Sequence, residues 1–233
     1  MVELSVVLAT YNEKENIGVL IDALQEHVKG IDTEIIVVDD NSPDDTAKVA
    51  EEANKRHGNV RVIVRKDARG LATALLRGFE ESKGTYILTM DSDLAHDPKI
   101  VPAMIALLRN KEADFVIGSR YVRGSKVMGK PFIKALASWV AQGIAMLWLG
   151  MRVKDASNNF RMFPNALYQR VKDDLHPDGN VMLMEFVHRA AQQGYRIKEL
   201  PTLYYERSKG ATKLRLGKET ARFIKNMWRL RFG

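Results

Sequence analysis

Two carboxylates one residue apart, Asp91 and Asp93 with Ser92 between them, follow directly on the apolar run Tyr86-Ile87-Leu88-Thr89-Met90. At the end of a buried strand both can turn toward one hard cation. Mg²⁺ or Mn²⁺ commonly takes one or two carboxylates and completes its shell with water and substrate phosphates. The same acids would also suit the first turn of a helix opened by Asp97-Pro98. A second acidic group, Asp39-Asp40-Asn41-Ser42-Pro43, ends another β-branched run. One of its two acids could accept from a nucleobase N–H, or the group could cap the next helix. Tyr11-Asn12-Glu13 closes the first run, with a ring able to stack on a base and a carboxylate able to accept from base or ribose. Arg207 to Lys213, with Gly210 inside, offers a guanidinium fork and close backbone approach to phosphate oxygens, or a solvated basic loop.

The elements that must position these groups are legible as alternating patterns. Leu4–Ala9, Glu34–Asp39, Val60–Val64, Tyr86–Met90 and Phe115–Gly118 read as buried strands. Between them lie helical stretches: one carrying Ile17, Leu20, Ile21 and Leu24, then Pro43 to Arg56, Ala68 to Ser82, and Asp97 to about Asn110. Near-continuous apolar strands separated by helices predict a mainly parallel sheet covered on both faces. Ligands bind outside the carboxyl ends of such strands. That edge collects Tyr11, Asn12, Glu13, Asp39, Asp40, Asp91, Asp93, Ser119 and Arg120. After residue 120 the pattern changes: a loop over 122–131, a long apolar helical run from Phe132 to Met151, a helix from Met182 to Gln193 enclosing Glu185, and two short strand pieces around Pro201.

Composition narrows the chemistry. The 233 residues carry 36 Lys+Arg against 29 Asp+Glu, a net charge of +7 that favours anionic partners. Zero cysteine excludes a disulfide scaffold, a thiolate zinc site and a cysteine nucleophile, so any metal sits on oxygen or imidazole. The five histidines, His27, His57, His96, His176 and His188, show no metal-ligand spacing; only His96 lies near the acidic pair. No P-loop and no Gly-x-Gly-x-x-Gly is present, against a P-loop ATPase or dinucleotide oxidoreductase. The start, Met1 to Glu13, lacks the basic and apolar regions of a secretory signal, so a cytoplasmic location is expected.

Taken in order, these pieces resemble the family 2 glycosyltransferases of GT-A fold, and among them the dolichyl-phosphate mannose synthase and polyprenyl-phosphate glycosyltransferase group. The resemblance runs over nearly the whole chain. It rests on Thr10 to Asn16, Val37 to Asp44, Arg69-Gly70-Leu71 with Arg77-Gly78-Phe79, and Met90 to Leu94 with His96 and Pro98. Further pieces are Gly118 to Tyr121, Asp155 before Phe160-Arg161, and Arg207 with Gly210, Thr212 and Lys213. The chain departs from the family pattern at Ala9 (usually Pro), at Ala95 (often Gln) and at Asn158-Asn159 (usually Ser/Thr-Gly).

The resemblance implies roles. Tyr11 and Glu13 border the donor nucleotide, Asp40 accepts from its base, and Ser92, Arg207 and Lys213 belong to the same donor site. Asp91 and Asp93 hold Mg²⁺ or Mn²⁺ on the diphosphate. Arg120 faces the acceptor's lipid phosphate, with Lys134 as a second cation there. Because a lipid monophosphate is already anionic, it needs charge neutralisation more than a strong base. The implied reaction transfers a hexose from GDP-mannose, or alternatively UDP-glucose, to dolichyl or polyprenyl phosphate with inversion, supplying a lipid-linked sugar donor for glycosylation. Arg120, Lys134 and the cation are then the main catalytic groups, and Asp93 acts through the metal.

The expected organisation is a GT-A domain over 1–213, with 132–151 as an interfacial helix or else an ordinary core helix, and 214–233 as a basic amphipathic C-terminal helix. Nine basic residues against one acid from Arg207 to Arg231 suit an anionic membrane surface. The expected location is peripheral, on the cytoplasmic face. Some relatives continue into transmembrane helices, which admits a transmembrane partner. A transferase acting on a non-lipid acceptor is the competing enzyme reading, opposed by the apolar 132–151 segment. A nucleic-acid-binding module is opposed by Phe223 and Trp228, whose spacing suits helix packing and not base stacking.

Overall fold

The computed structural model describes residues 1–129, 142–205 and 225–232. β1 (Leu4–Thr10) leads through α1 (Lys14–His27) to β2 (Thr33–Asp39), α2 (Thr46–His57), β3 (Val60–Val64), α3 (Leu71–Glu80) and β4 (Tyr86–Asp91). After a 3-10 turn at Pro98–Ile100 come α4 (Val101–Arg109), β5 (Phe115–Ser119) and β6 (Lys126–Met128). Residues 142–149 are helical and are labelled α5. β7 (Arg161–Pro164), α6 (Asn165–Val171), α7 (Gly179–Gln192), β8 (Ile197–Pro201) and β9 (Leu203–Tyr205) follow, and 225–232 form α8.

Seven strands make one sheet in the order β3-β2-β1-β4-β7-β5-β8, and β6 pairs with β9 beside it. All neighbours in the large sheet run parallel except β7, which is antiparallel to both β4 and β5. Successive side chains on a strand face opposite ways, and the core divides accordingly. Val7, Ile87, Phe115, Ile117 and Phe163 join one cluster with residues of α3, α5, α6, α7 and α8. Val6, Leu8, Leu88, Met90, Val116 and Met162 join another with α1, α2 and α4. The sheet is therefore covered on both faces, as the apolar strand runs predict. Phe79, Phe115, Phe163 and Phe186 interlock on the first face, the tightest pair being Phe163 and Phe186 at 4.6 Å between ring centres.

Three local expectations change. α2 begins at Thr46 and not at Pro43, because Asp45 enters it in a left-handed conformation (φ 67°) and Ser42 is occupied by Asp39. α3 begins at Leu71 and not at Ala68, because Gly70 adopts φ 128°, which only glycine holds easily. The loop 122–131 contains β6, and β7 was not anticipated. Of the run from Phe132 to Met151, residues 142–149 are helical; the earlier part, and most of the 214–233 segment, lie outside the described residues.

α8 is clamped onto α7 by Glu185, whose side chain is fully buried. Its carboxylate accepts from the His176 N–H at 3.0 Å and from Arg189 at 3.1 Å, and lies 3.6 Å from Arg229 of α8. A carboxylate at that depth needs such partners. Trp148 of α5 donates its Nε1–H to the Met227 carbonyl at 3.1 Å, joining α5 to the same corner. Among the described residues, no helix is long and apolar enough to cross a membrane.

Candidate active site

The carboxyl ends of β1, β2 and β4 converge on a cavity of about 290 Å³ lined by Ala9, Thr10, Tyr11, Glu13, Asp40, Leu71, Ala74, Asp91 and Ser92. Five of the residues singled out in the sequence, Tyr11, Glu13, Asp40, Asp91 and Ser92, thus meet in one place. The two acids at the end of β2, Asp39 and Asp40, have separate tasks. Asp39 accepts from Thr10 Oγ1 at 2.9 Å, from the Ser42 N–H at 2.8 Å and from Ser42 Oγ at 2.6 Å. Ser42 Oγ in turn accepts from the Asn12 N–H at 3.0 Å. Asp39 therefore ties the β1 and β2 loops together, and Asp40 is left to line the cavity.

Asp40 is oriented by a residue the sequence reading passed over. Arg65, the first residue beyond β3, donates from Nε to Asp40 Oδ1 at 2.8 Å and from Nη2 to the same oxygen. The Gly70 N–H donates to Oδ2 at 2.7 Å. Arg69 lies over the Tyr11 ring, 5.0 Å from its centre, a cation–π placement. Applying the strand-end rule to β3 would have found Arg65. Glu13 accepts from Asn16 Nδ2 at 2.7 Å at the start of α1.

The Asp91-Ser92-Asp93 turn is held from beneath. Ser92 is buried and donates its hydroxyl to the Ala9 carbonyl at 3.0 Å, so its side chain serves the loop. Asp93 Oδ1 accepts from the Ala95 N–H at 3.0 Å. Leu94 between them has φ 62°, a costly conformation for a bulky side chain that persists only where the surroundings impose it. His96 is buried beneath the turn, 5.1 Å from Phe160 in a stacked arrangement. Its Nδ1 accepts from the Asp91 N–H at 3.2 Å. Burial pushes its pKa below the ordinary value, against the pull of Asp91 and Asp93. His96 thus supports the loop and is not a free base.

The donor set fits a hard divalent cation. Asp91 and Asp93 would supply two carboxylate groups, and among the described residues no cluster of three or more His, Cys, Asp or Glu stands ready as a complete protein cage. A two-carboxylate site is the kind that substrate phosphates complete.

Arg120, at the end of β5, is paired with Asp155. Nε and Nη2 donate to its two oxygens at 2.9 and 2.7 Å, and the Arg120 N–H adds a third bond at 2.9 Å. The guanidinium also lies 5.3 Å from the ring centres of both Tyr121 and Tyr204. Burial opposes its charge, but Asp155 more than offsets this and raises its pKa. Asp155 reaches this edge because β7 runs backward, so the loop before it arrives where its neighbours end. Arg161 fixes that loop: wholly buried, it donates to the carbonyls of Ala156, Asn158 and Leu183, and burial pulls its pKa down to about 9. Asp93 and Arg120 do not line the 290 Å³ cavity. Lys134, Arg207 and Lys213 lie outside the described residues.

Residues 5–174 match the family described as glycosyl transferase family 2, and the chain belongs to that family. It is similar to a dolichol-phosphate mannosyltransferase of Pyrococcus furiosus, 34% identical over 230 residues, covering 98% of this chain and 63% of the relative. The chain therefore spans less than two thirds of that relative's length. An undecaprenyl-phosphate mannosyltransferase of Micrococcus luteus is 29% identical over 212 residues, covering 89% of this chain and 86% of the relative. In fold, the chain is similar to the glucosyl-3-phosphoglycerate synthase of Mycobacterium tuberculosis, solved with Mn²⁺, UDP and glucosyl-3-phosphoglycerate. The TM-score is 0.74 at 21% identity, covering 98% of this chain and 80% of that one. The sheet and its helices are those of the GT-A fold.

Proposed function

We propose that this chain transfers a hexose, mannose in the first place, from a nucleoside-diphosphate sugar to dolichyl or polyprenyl phosphate. The observation that carries the reading is the single cavity in which Tyr11, Glu13, Asp40, Asp91 and Ser92 meet at the strand ends. The two mannosyltransferase relatives are named for lipid phosphates, which supports the acceptor class. In this reading Tyr11, with Arg69 above it, borders the base, and Asp40, held by Arg65, accepts from it. Asp91 and Asp93 would hold Mg²⁺ or Mn²⁺, which supplies charge neutralisation for the departing diphosphate. Arg120 stands at the acceptor side. Asp155 already takes two of its nitrogens, so Lys134, Arg207 and Lys213 carry the net positive charge that gathers the phosphates.

In this reading the acceptor is a membrane lipid, so the protein works at a membrane surface, taken to be the cytoplasmic face. Ile144, Leu147, Trp148, Trp228 and Phe232 are large apolar side chains left exposed on α5 and α8. Trp148 and Trp228 lie 5.9 Å apart, and Arg231 sits over Trp148 at 5.1 Å. Aromatic rings with an arginine beside them suit the headgroup boundary.

The test is transfer of radiolabelled sugar from GDP-mannose and from UDP-glucose to a polyprenyl phosphate, with Mn²⁺ or Mg²⁺ and then with chelator. Metal-dependent product from GDP-mannose is expected, and Asp93→Ala should lower it by about a thousandfold, the scale of losing a catalytic cation. Absence of organic-phase product from either donor overturns the lipid acceptor.

A further inference from the structure

Asn159 is buried, at 4% exposure, and its amide bridges two groups on β4. Nδ2 donates to Asp91 Oδ1 at 3.0 Å, and Oδ1 accepts from Thr89 Oγ1 at 3.1 Å. The orientation is fixed by chemistry. An ionised carboxylate only accepts, so the NH₂ end must face Asp91; the Thr89 hydroxyl then supplies the donor the carbonyl end requires. The bridge leaves Asp91 asymmetric. Oδ1 is held by Asn159, and among the described residues no donor reaches Oδ2. His96 Nδ1, 3.9 Å from Oδ2, already accepts from the Asp91 N–H. The holder is also neutral. A lysine or arginine in its place would neutralise the carboxylate that a cation needs, whereas an amide fixes its direction and leaves its charge. The adjacent Arg161, a full buried cation, is turned away onto backbone carbonyls.

We infer that Asn159, set by Thr89, is a positioning residue that pins one oxygen of Asp91 and presents the other to the divalent cation. The inference rests on the reading of Asp91 and Asp93 as the cation's ligands. Partners that orient a metal ligand typically contribute about tenfold to a hundredfold in metal affinity. It also explains why a single reversed strand matters to the donor half of the site: Asn159 lies just before β7, and only the β7–β4 pairing brings it beside Asp91.

The experiment measures Mn²⁺ binding in the presence of saturating GDP, by loss of the free-ion paramagnetic resonance signal, for wild type, Asp93→Ala, Asn159→Ala and Thr89→Val. Melting without metal reports on folding. Asn159→Ala should weaken Mn²⁺ binding by at least about tenfold, while its melting temperature stays within about 5 °C of wild type. Thr89→Val keeps shape and removes the donor that sets the amide, so it should move affinity in the same direction by less. Wild-type binding that is lost in Asp93→Ala but unchanged in both Asn159→Ala and Thr89→Val overturns this inference alone. No Mn²⁺ binding by the wild type overturns the ligand reading and this inference with it.

Discussion

Arg120 and Asp155 face one another as a two-pronged pair, with bonds of 2.9 and 2.7 Å, although 35 residues separate them. Asp155 is fully buried and the Arg120 side chain is 18% exposed. Removing one member leaves the other charge uncompensated, which is more damaging than the pair is favourable. Asp155→Ala should cost about 3 kcal/mol of stability, seen as a melting temperature on the order of 10 °C lower. A melt unchanged from wild type would show that Arg120 does not depend on this partner.

Helix α3 lies unusually close to the sheet at Gly78. A Cβ there would fall 2.3 Å from Val7 Cγ1, inside any real contact. Gly78→Ala should therefore push α3 from β1 and destabilise by about 2 kcal/mol, measured by urea unfolding. Leu71 and Ala74 of the same helix line the 290 Å³ cavity, so nucleotide binding should weaken as well.

His188 on α7 gives the fold a pH dependence. Burial, with the Arg189 charge beside it, holds its pKa below the ordinary 6.5, against the opposing influence of Glu185 and the Leu230 backbone. At high pH the ring is neutral in both states. As pH falls through about 6.5 the unfolded chain takes up a proton that the folded chain resists, so stability drops. His188→Gln should reduce the loss seen between about pH 7.5 and about pH 5.5. Equal slopes in the two proteins would remove His188 from the account.

Trp228 is 60% exposed on α8. If this corner meets lipid, Trp228→Glu should lower partitioning onto anionic vesicles by roughly tenfold, the scale of one buried aromatic ring. Sedimentation with vesicles measures it, and undiminished binding would move the lipid contact elsewhere.

Much of this architecture could be read from residue patterns, for identifiable reasons. β1, β2 and β4 are long, apolar and followed at once by polar residues, so strand and strand end are visible together. β7 has four residues, too short to show a period, and its role depends on pairing partners distant in the chain. The loop before it, with Asp155 and Asn159, therefore could be noticed as motif but not placed. Asp39 and Asp40 are chemically identical in the sequence. The hydroxyls of Thr10 and Ser42, which converge on Asp39, and Arg65 with the Gly70 N–H, which hold Asp40, separate the structural acid from the one facing the cavity. Arg65 was missed because β3 looks like a plain edge strand with no motif after it.

The reversal of β7 has a consequence for how such a molecule can change. Forward strands deliver the loops with Tyr11, Asp40 and Asp91 from the first 93 residues, while the backward strand delivers 155–160 to the same edge from a separate stretch of chain. Each contribution ends in its own loop, outside the strand pairing. Substitutions in one stretch can retailor its side of the cleft while the strand ladders keep their register, but they stay coupled where the two stretches meet, as Asn159 meets Asp91.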